Sequence, residues 1–267
     1  EKYHHVRLTL AGAEAVSEKF TDLAEAEQAA AMCKGATVTC TSVTKEQKKE
    51  QPPKLYDLTT LQREANRLLG YTAKQTLDYA QSLYEKKLLT YPRTDSRYLT
   101  SDMAETASCV IHLAAKLPPF DGCGNFFPLV VTMISDKDVS DHHAIIPTME
   151  IEKADIKALP LGERNLFLLV CCKLLCASAE PYVYEAVTAA FDCGGHSFTA
   201  KGKRILSEGW REIDRLFHAF LKEKPADGDG GTLPDFTEGQ TFDGAEVSIT
   251  EHFTQPPKPY TEDTLLS

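Results

Sequence analysis

The stretch QPPKLYDLTTLQREANRLLGYTAKQTLDYAQSLYEKKL, residues 51–88, is where the pattern of the chain changes from strand-type to helical. Its first four residues, QPPK, interrupt the preceding pattern and predict a connection between domains. Apolar residues then recur at helical spacing in 59–70, which begins on Thr and ends on Gly70, and again in 72–88. Two short helices joined at Gly70 predict a helix-turn-helix or winged-helix unit.

Further helices are predicted on both sides of this pair. An Ala-rich helix is expected at 22–33, a third helix of the central block at 101–117 and a strongly apolar fourth at 162–178. RLFHAFLKEK predicts a short helix late in the chain. Alternating, β-branched patterns predict strands at 4–10, 35–49, 182–193, 196–210 and 245–253, with a hairpin turn at Gly194-Gly195.

The order of these patterns predicts an α+β, multi-domain fold. Strands precede and follow the helical block, so the simplest arrangement is a β-rich hinge domain interrupted by an inserted helical, winged-helix-like domain. The two connections would then lie side by side and act as a hinge. The expected boundaries are 1–57 and 181–258 for the two parts of the β-rich domain, 58–180 for the insertion and 259–267 for the start of a following domain.

The charge balance argues against a protein that binds nucleic acid over its whole surface. The 267 residues carry a net charge of −10, and the pI is about 5.3. A local exception lies in 60–100, where seven Lys and Arg residues face four Asp and Glu residues. Any contact with nucleic acid is therefore expected around this window.

Cysteine usage and hydropathy indicate the cellular compartment in which the protein is expected. The eight cysteines are scattered without a CxxC pair, so no metal site is predicted, and buried free thiols fit a reducing cytoplasm. No apolar run approaches the roughly 20 residues that span a bilayer, and no signal peptide is predicted. A start on Glu1 without Met leads us to expect a piece of a longer chain.

The segment LLTYPRTDSRYLT, residues 88–100, carries the strongest chemical signal. Tyrosine is a weak nucleophile at neutral pH, since its pKa is about 10, but nearby positive charge can stabilise a phenolate and a phosphate under attack. Arg93 lies two residues from Tyr91, on the same face of an extended segment that Pro92 favours. Thr94 and Ser96 could donate to phosphate oxygens. These residue types indicate phosphoryl transfer; the alternative is a solvated loop after a helix.

A second motif is SDHHAIIPT, residues 140–148. Its adjacent histidines could ligate a metal, cap a helix or face a phosphate. Adjacent side chains seldom share one metal, and no thiol or acidic cluster with ligand spacing accompanies them. The spacing favours a structural histidine and does not connect the motif to Tyr91.

Four segments together resemble the type IA DNA topoisomerases, particularly the topoisomerase III branch. LTYPRTDSRYL is similar to the active-site segment of that family, and LYDLTTLQREANRLLGYTAKQTLDYAQSLYEKK to the helices that precede it. SDHHAIIPT resembles the histidine motif of the family, and FTQPPKPYTEDTLL the Pro-rich segment that leads back to its DNA-binding base. The resemblance implies an ATP-independent isomerase that cuts one DNA strand, passes another strand and religates.

The resemblance also implies roles for particular residues. Tyr91 matches the nucleophile that forms a 5′-phosphotyrosyl link, Arg93 the arginine that steadies it, and His142 the histidine that assists phosphate contact or proton transfer. The role of His143 stays open. Residues expected to contact DNA are Gln81, Glu85, Thr94, Asp95, Arg97 and Arg63.

The same resemblance sets expectations for cofactors and partners. The family holds Mg²⁺ in an acidic Toprim domain whose pattern we do not find, so Mg²⁺ is expected in the parent enzyme and none in this fragment, which should be inactive alone. We expect a monomer that binds single-stranded DNA weakly, no membrane contact, and a bacterial, nucleoid-associated cytoplasmic parent. Two alternatives remain open: a non-catalytic winged-helix module that binds single-stranded nucleic acid, and an interaction domain without nucleic acid.

Overall fold

The computed structural model describes residues 1–123, 128–222, 231–256 and 259–266. Three stretches rich in Pro or Gly whose composition predicts loops, 118–128, 226–235 and 254–260, lie partly outside these ranges. The chain divides into two compact units. The sheet unit comprises Glu1–Lys49, Val183–Ser207 and Asp227–Lys258, and the helical unit comprises Glu50–Tyr182, Glu208–Ala226 and Pro259–Ser267.

The sheet unit is built on a seven-stranded sheet with the strand order β6-β3-β4-β5-β2-β1-β7. The pairs β1–β2, β1–β7, β2–β5, β3–β6 and β4–β5 are antiparallel. The strands are β1 (Lys2–Leu10), β2 (Ala13–Ser17), β3 (Val38–Glu50), β4 (Tyr182–Cys193), β5 (His196–Ser207), β6 (Thr241–Phe242) and β7 (Glu246–Phe253).

Local sequence explains the longest hairpin of this sheet. Gly194 and Gly195 both have positive φ, 59° and 81°, which is the backbone of a tight two-residue turn with the twist of its strands. The turn pairs Cys193 with His196 and confirms the predicted hairpin. Helix α1 (Leu23–Cys33) covers one face of the sheet, and its buried alanines pack in one core with Val6, Leu8 and Phe191.

The helical unit contains six α-helices joined by short 3₁₀ turns in the residues that the structure describes. They are α2 (Leu58–Leu69), α3 (Ala73–Glu85), α4 (Ala104–Ala114), α5 (Leu161–Ala177), α6 (Trp210–Phe220) and α7 (Glu262–Leu265). Capping boxes on Asp57 and Thr72 start α2 and α3, and Gly70 ends α2 in the left-handed region.

Helix α5 is the centre of this unit. It is buried on nearly all sides, and α2, α3, α4 and α6 contact it. A helix that is apolar all round is an interior helix, as LFLLVCCKLLCA indicates. The resulting core supports the loop that follows α3. No helix among the described residues is both long and apolar enough to cross a membrane.

The units confirm an α+β fold but differ from the predicted boundaries in two places. Helix α6 lies within the range 181–258 predicted as β-rich, yet its Ile213 and Phe217 belong to the helical core. Helix α7 lies in 259–267, predicted to open another domain, yet it packs on α2. An amphipathic period shows that a helix has a buried face but not which core receives it. The predicted boundary at 258 lies outside the described residues.

Candidate active site

The segment of Tyr91 lies beside the segment of His142. The backbone N–H of Thr90 donates to Ile146 O at 3.0 Å, and the Thr90 hydroxyl donates to Ala144 O at 3.1 Å. Isolated bridge pairing joins Leu89 to Pro147. Two motifs about fifty residues apart in sequence thus run side by side.

This pairing brings the Tyr91 ring against His142. The two ring centroids are 4.5 Å apart at an interplanar angle of 46°. Tyr84 on α3 also contacts Tyr91, with centroids 5.4 Å apart in an edge-to-face arrangement. Tyr91 is half-buried and His142 is exposed, so the aromatic group remains open to a ligand. The spacing of the two motifs in the sequence did not predict the contact between Tyr91 and His142; the fold creates it.

The hydroxyls of Thr94 and Ser96 are used inside the protein. Both residues are buried. Thr94 Oγ1 donates to His142 O at 2.8 Å and accepts from Ser96 N at 3.1 Å. Ser96 Oγ donates to Asp138 O at 2.8 Å. The expected donation of these hydroxyls to phosphate is replaced by contacts that hold the loop.

The charged residues of the motif have different surroundings. Arg93 is exposed, and none of the carboxylates in the described parts of the chain lies within ion-pair distance of it. Arg97 is half-buried, and its Nε donates to Leu55 O at 3.0 Å. Asp95 is exposed and, among the residues with described positions, bonds to neither arginine. The guanidinium of Arg93, two residues from Tyr91 in sequence, is therefore available to an anion.

The remaining predicted residues lie on α2 and α3. Gln81 Nε2 donates to Glu85 Oε1 at 3.2 Å, one helical turn away, so Glu85 is paired with Gln81 and not with Arg93. Arg63 forms a 2.9 Å salt bridge with Asp263 of α7. Among the residues that the structure describes, no contact joins Arg63 to Tyr91, Tyr84 or His142.

A half-buried ion pair fixes the helices behind the loop. Lys173 of α5 lies 2.7 Å from Glu64 of α2, and its Nζ lies 4.7 Å from the centroid of the Tyr56 ring. Burial alone would raise the pKa of Glu64, but the charge and hydrogen bond of Lys173 bring that pKa below its ordinary value. Tyr56 O accepts from Ile145 N at 2.8 Å. The pair thus anchors the segment against which the His142 motif is held.

Sequence reasoning did not assign Tyr84 to the site. The apolar spacing of 72–88 predicts that Tyr84 shares one helical face with Leu77 and Ala80. In the structure Tyr84 is 39% exposed and touches Tyr91. Its exposure, which only the structure supplies, is the signal that distinguishes it from a core residue.

Comparison with known proteins agrees with this picture. The family model described as DNA topoisomerase matches residues 1–267. The chain therefore belongs to the DNA topoisomerase family, with the sequence features of its type IA members. It is similar to the protein named DNA topoisomerase 3 of Bacillus licheniformis, with 36% identity over 245 residues, 90% of this chain and 33% of that protein.

A second relative and a solved structure show the same likeness. DNA topoisomerase 3 of Bacillus subtilis is 37% identical over 225 residues, 82% of this chain and 30% of that protein. The structure of full-length topoisomerase I from Thermotoga maritima matches with a TM-score of 0.74 at 24% identity, over 100% of this chain and 43% of that chain. The chain thus spans about a third of the length of its curated relatives.

Proposed function

We propose that this chain is the gate part of a type IA DNA topoisomerase and that Tyr91 is its nucleophile. The observation that carries the proposal is the packing of Tyr91 on His142, two residues before the exposed Arg93, which pairs with none of the carboxylates among the described residues. A phosphodiester at the open side of Tyr91 would meet a hydroxyl and a cation together. Membership of the family supplies the reaction class.

The chemistry follows from these three groups. Tyr91 Oη attacks the scissile phosphorus, and the new P–O bond forms as the bond to the 3′ oxygen breaks. The phenolic proton leaves to His142 or solvent, and the departing 3′ oxygen takes up a proton. Arg93 stabilises the charge on the phosphate oxygens in the transition state. The 3′ hydroxyl reverses the step, so the energy of the phosphodiester is conserved in the phosphotyrosine and no ATP is required.

The other predicted residues divide by their surroundings. Because the hydroxyl of Thr94 is bound to His142 O, we assign it a positioning role instead of a DNA contact. The half-buried Gln81 and the exposed Glu85 and Asp95 stay proposed DNA contacts, as do two arginines that already bind protein groups, Arg97 and Arg63.

We further propose the movement and the partners that the reaction requires. A β-rich hinge, the sheet unit, would carry the winged-helix-like helical unit with Tyr91 away from the rest of the parent while the phosphotyrosine holds the DNA end. Single-stranded DNA is the proposed substrate, Mg²⁺ would be held by residues of the parent outside this chain, and the proposed compartment is the bacterial cytoplasm. The fragment itself is proposed to be a monomer.

The test uses the intact parent carrying Tyr91→Phe. Cleavage of a labelled single strand and relaxation of supercoiled DNA should both be lost, because the ring remains but the attacking oxygen does not. Tyr84→Phe is the matched control: it changes a neighbouring tyrosine in the same aromatic cluster and should retain cleavage. Retained relaxation in Tyr91→Phe would instead favour a non-catalytic module in which Tyr91 stacks on a base.

A further inference from the structure

A second cluster of reactive side chains lies between α5 and α6, and the proposed function does not use it. Cys172 and Cys176 are one helical turn apart on α5, and Asp214 and His218 are one turn apart on α6. Residues spaced by four lie on one face of a helix. Because the two helices pack together, the pairs face each other.

The distances within the cluster suit metal coordination. The two sulfur atoms are 3.9 Å apart, and each lies within 4.8 Å of a carboxylate oxygen of Asp214. Two thiolates bound to tetrahedral Zn²⁺ at about 2.3 Å would lie about 3.8 Å from each other. Small rotations of Asp214 would bring its oxygen to bonding distance.

We propose that Cys172, Cys176 and Asp214 bind a thiophilic divalent cation of the Zn²⁺ class. Both thiols are buried, whereas the side chain of Asp214 is 37% exposed, so the cation would enter on the Asp214 side and keep a water as its fourth ligand. Thiolates select Zn²⁺ over Mg²⁺. The site is therefore distinct in chemistry from the Mg²⁺ proposed for the parent.

His218 completes the arrangement as a positioning residue. It is buried, and its Nε2 lies 3.6 Å from Asp214 Oδ2. An imidazole next to a ligating carboxylate orients that carboxylate, and removing such a partner weakens metal affinity by about 10–100-fold. Because the sequence contains no CxxC pair, we predicted no metal site from it. The two cysteines are spaced CxxxC on one helix, and the carboxylate of Asp214 comes 38 residues after Cys176, so the three side chains form a cluster only after folding.

Two readouts in the 267-residue chain test the proposal. After a chelator has stripped the protein of metal and Zn²⁺ has been added back, native mass spectrometry should show one bound equivalent of Zn²⁺. Co²⁺ should give thiolate-to-metal absorption and quench the single tryptophan, Trp210, whose carbonyl oxygen lies 3.6 Å from Cys176 Sγ. Failure to bind Zn²⁺ or Co²⁺ at millimolar concentration would overturn the proposal.

The variants identify the ligands. Cys172→Ser and Cys176→Ser should abolish the thiolate absorption, and His218→Gln should weaken Zn²⁺ binding about tenfold or more. Asp214→Asn is the variant least prone to misfolding, since this side chain is partly exposed, and it should weaken binding at least as much. Cys171→Ser, a buried thiol outside the cluster, and Cys109→Ser, an exposed one, should bind as the wild type does. Undiminished binding in Asp214→Asn or in the two cluster-cysteine variants would refute the site.

Discussion

Replacing Thr94 by Val should detach the loop of Tyr91 from the segment of His142. Thr94 is buried, and its hydroxyl is the only part of the side chain that Val lacks in an otherwise similar shape. That hydroxyl donates to His142 O at 2.8 Å and accepts from Ser96 N at 3.1 Å. The substitution therefore removes two hydrogen bonds without creating a cavity.

The expected loss of stability follows from the groups left behind. A buried donor or acceptor without a partner costs about 1–3 kcal/mol. The N–H of Ser96 is buried and should account for the larger part of the lost free energy of unfolding. The carbonyl of His142, an exposed residue, can instead accept a hydrogen bond from water. The sum is about 2–4 kcal/mol, a large part of the 5–15 kcal/mol that is typical of a domain.

The assay is urea unfolding followed by tryptophan fluorescence. Trp210 is the only tryptophan of the chain and lies in the helical unit with Thr94, so its signal follows that unit. Thr94→Ser is the matched control, because it keeps the hydroxyl and loses one methyl group, at about 1 kcal/mol. If Thr94→Val were as stable as Thr94→Ser, the hydroxyl would not hold the loop. In the parent, Thr94→Val should also slow cleavage while Thr94→Ser retains it.

Three further predictions concern the framework of the chain. The pKa of Glu64 lies below its ordinary value of about 4.5, so its ion pair stabilises the helical unit above that pH, and this stabilisation is lost as the pH falls through the lowered pKa. Glu64→Gln should therefore flatten the acid dependence of stability, measured by fluorescence-monitored unfolding. An unchanged dependence on acid pH would contradict the prediction. Gly209→Ala should destabilise the protein by at least about 2 kcal/mol, because φ is 47° and the new Cβ would lie 2.3 Å from a backbone oxygen. Gly70→Ala is the control: φ is 68° but the space is open, so the loss should be about 1 kcal/mol. Equal melting temperatures of the two variants would argue against the clash. Iodoacetamide at mildly alkaline pH should modify the exposed Cys109 long before Cys33, since burial raises the pKa of Cys33 to about 12. Peptide mapping over time measures the two rates. Equal rates would show that Cys33 opens to solvent.

Short-range signals account for the parts of the fold that the sequence predicted well. Asp57, Thr72 and Gly70 act on backbone groups within a turn of themselves, so the limits of α2 and α3 fell within a few residues of expectation. Strands β2 and β6 were not predicted. β6 has two residues and β2 five, so neither is long enough for an alternating pattern to stand out.

The arrangement of the site depends instead on pairings between distant segments. Nothing in SDHHAIIPT specifies that it will run beside Tyr91; the contact arises because Thr90 and Thr94 bond to its backbone. Threonine in a motif rich in Arg and Asp predicts a phosphate ligand by composition, but burial decides that its hydroxyl binds the protein. The Cys172 cluster follows the same logic, since its carboxylate comes from another helix. Residue types thus predict a chemistry, whereas burial and packing decide which groups are free to perform it.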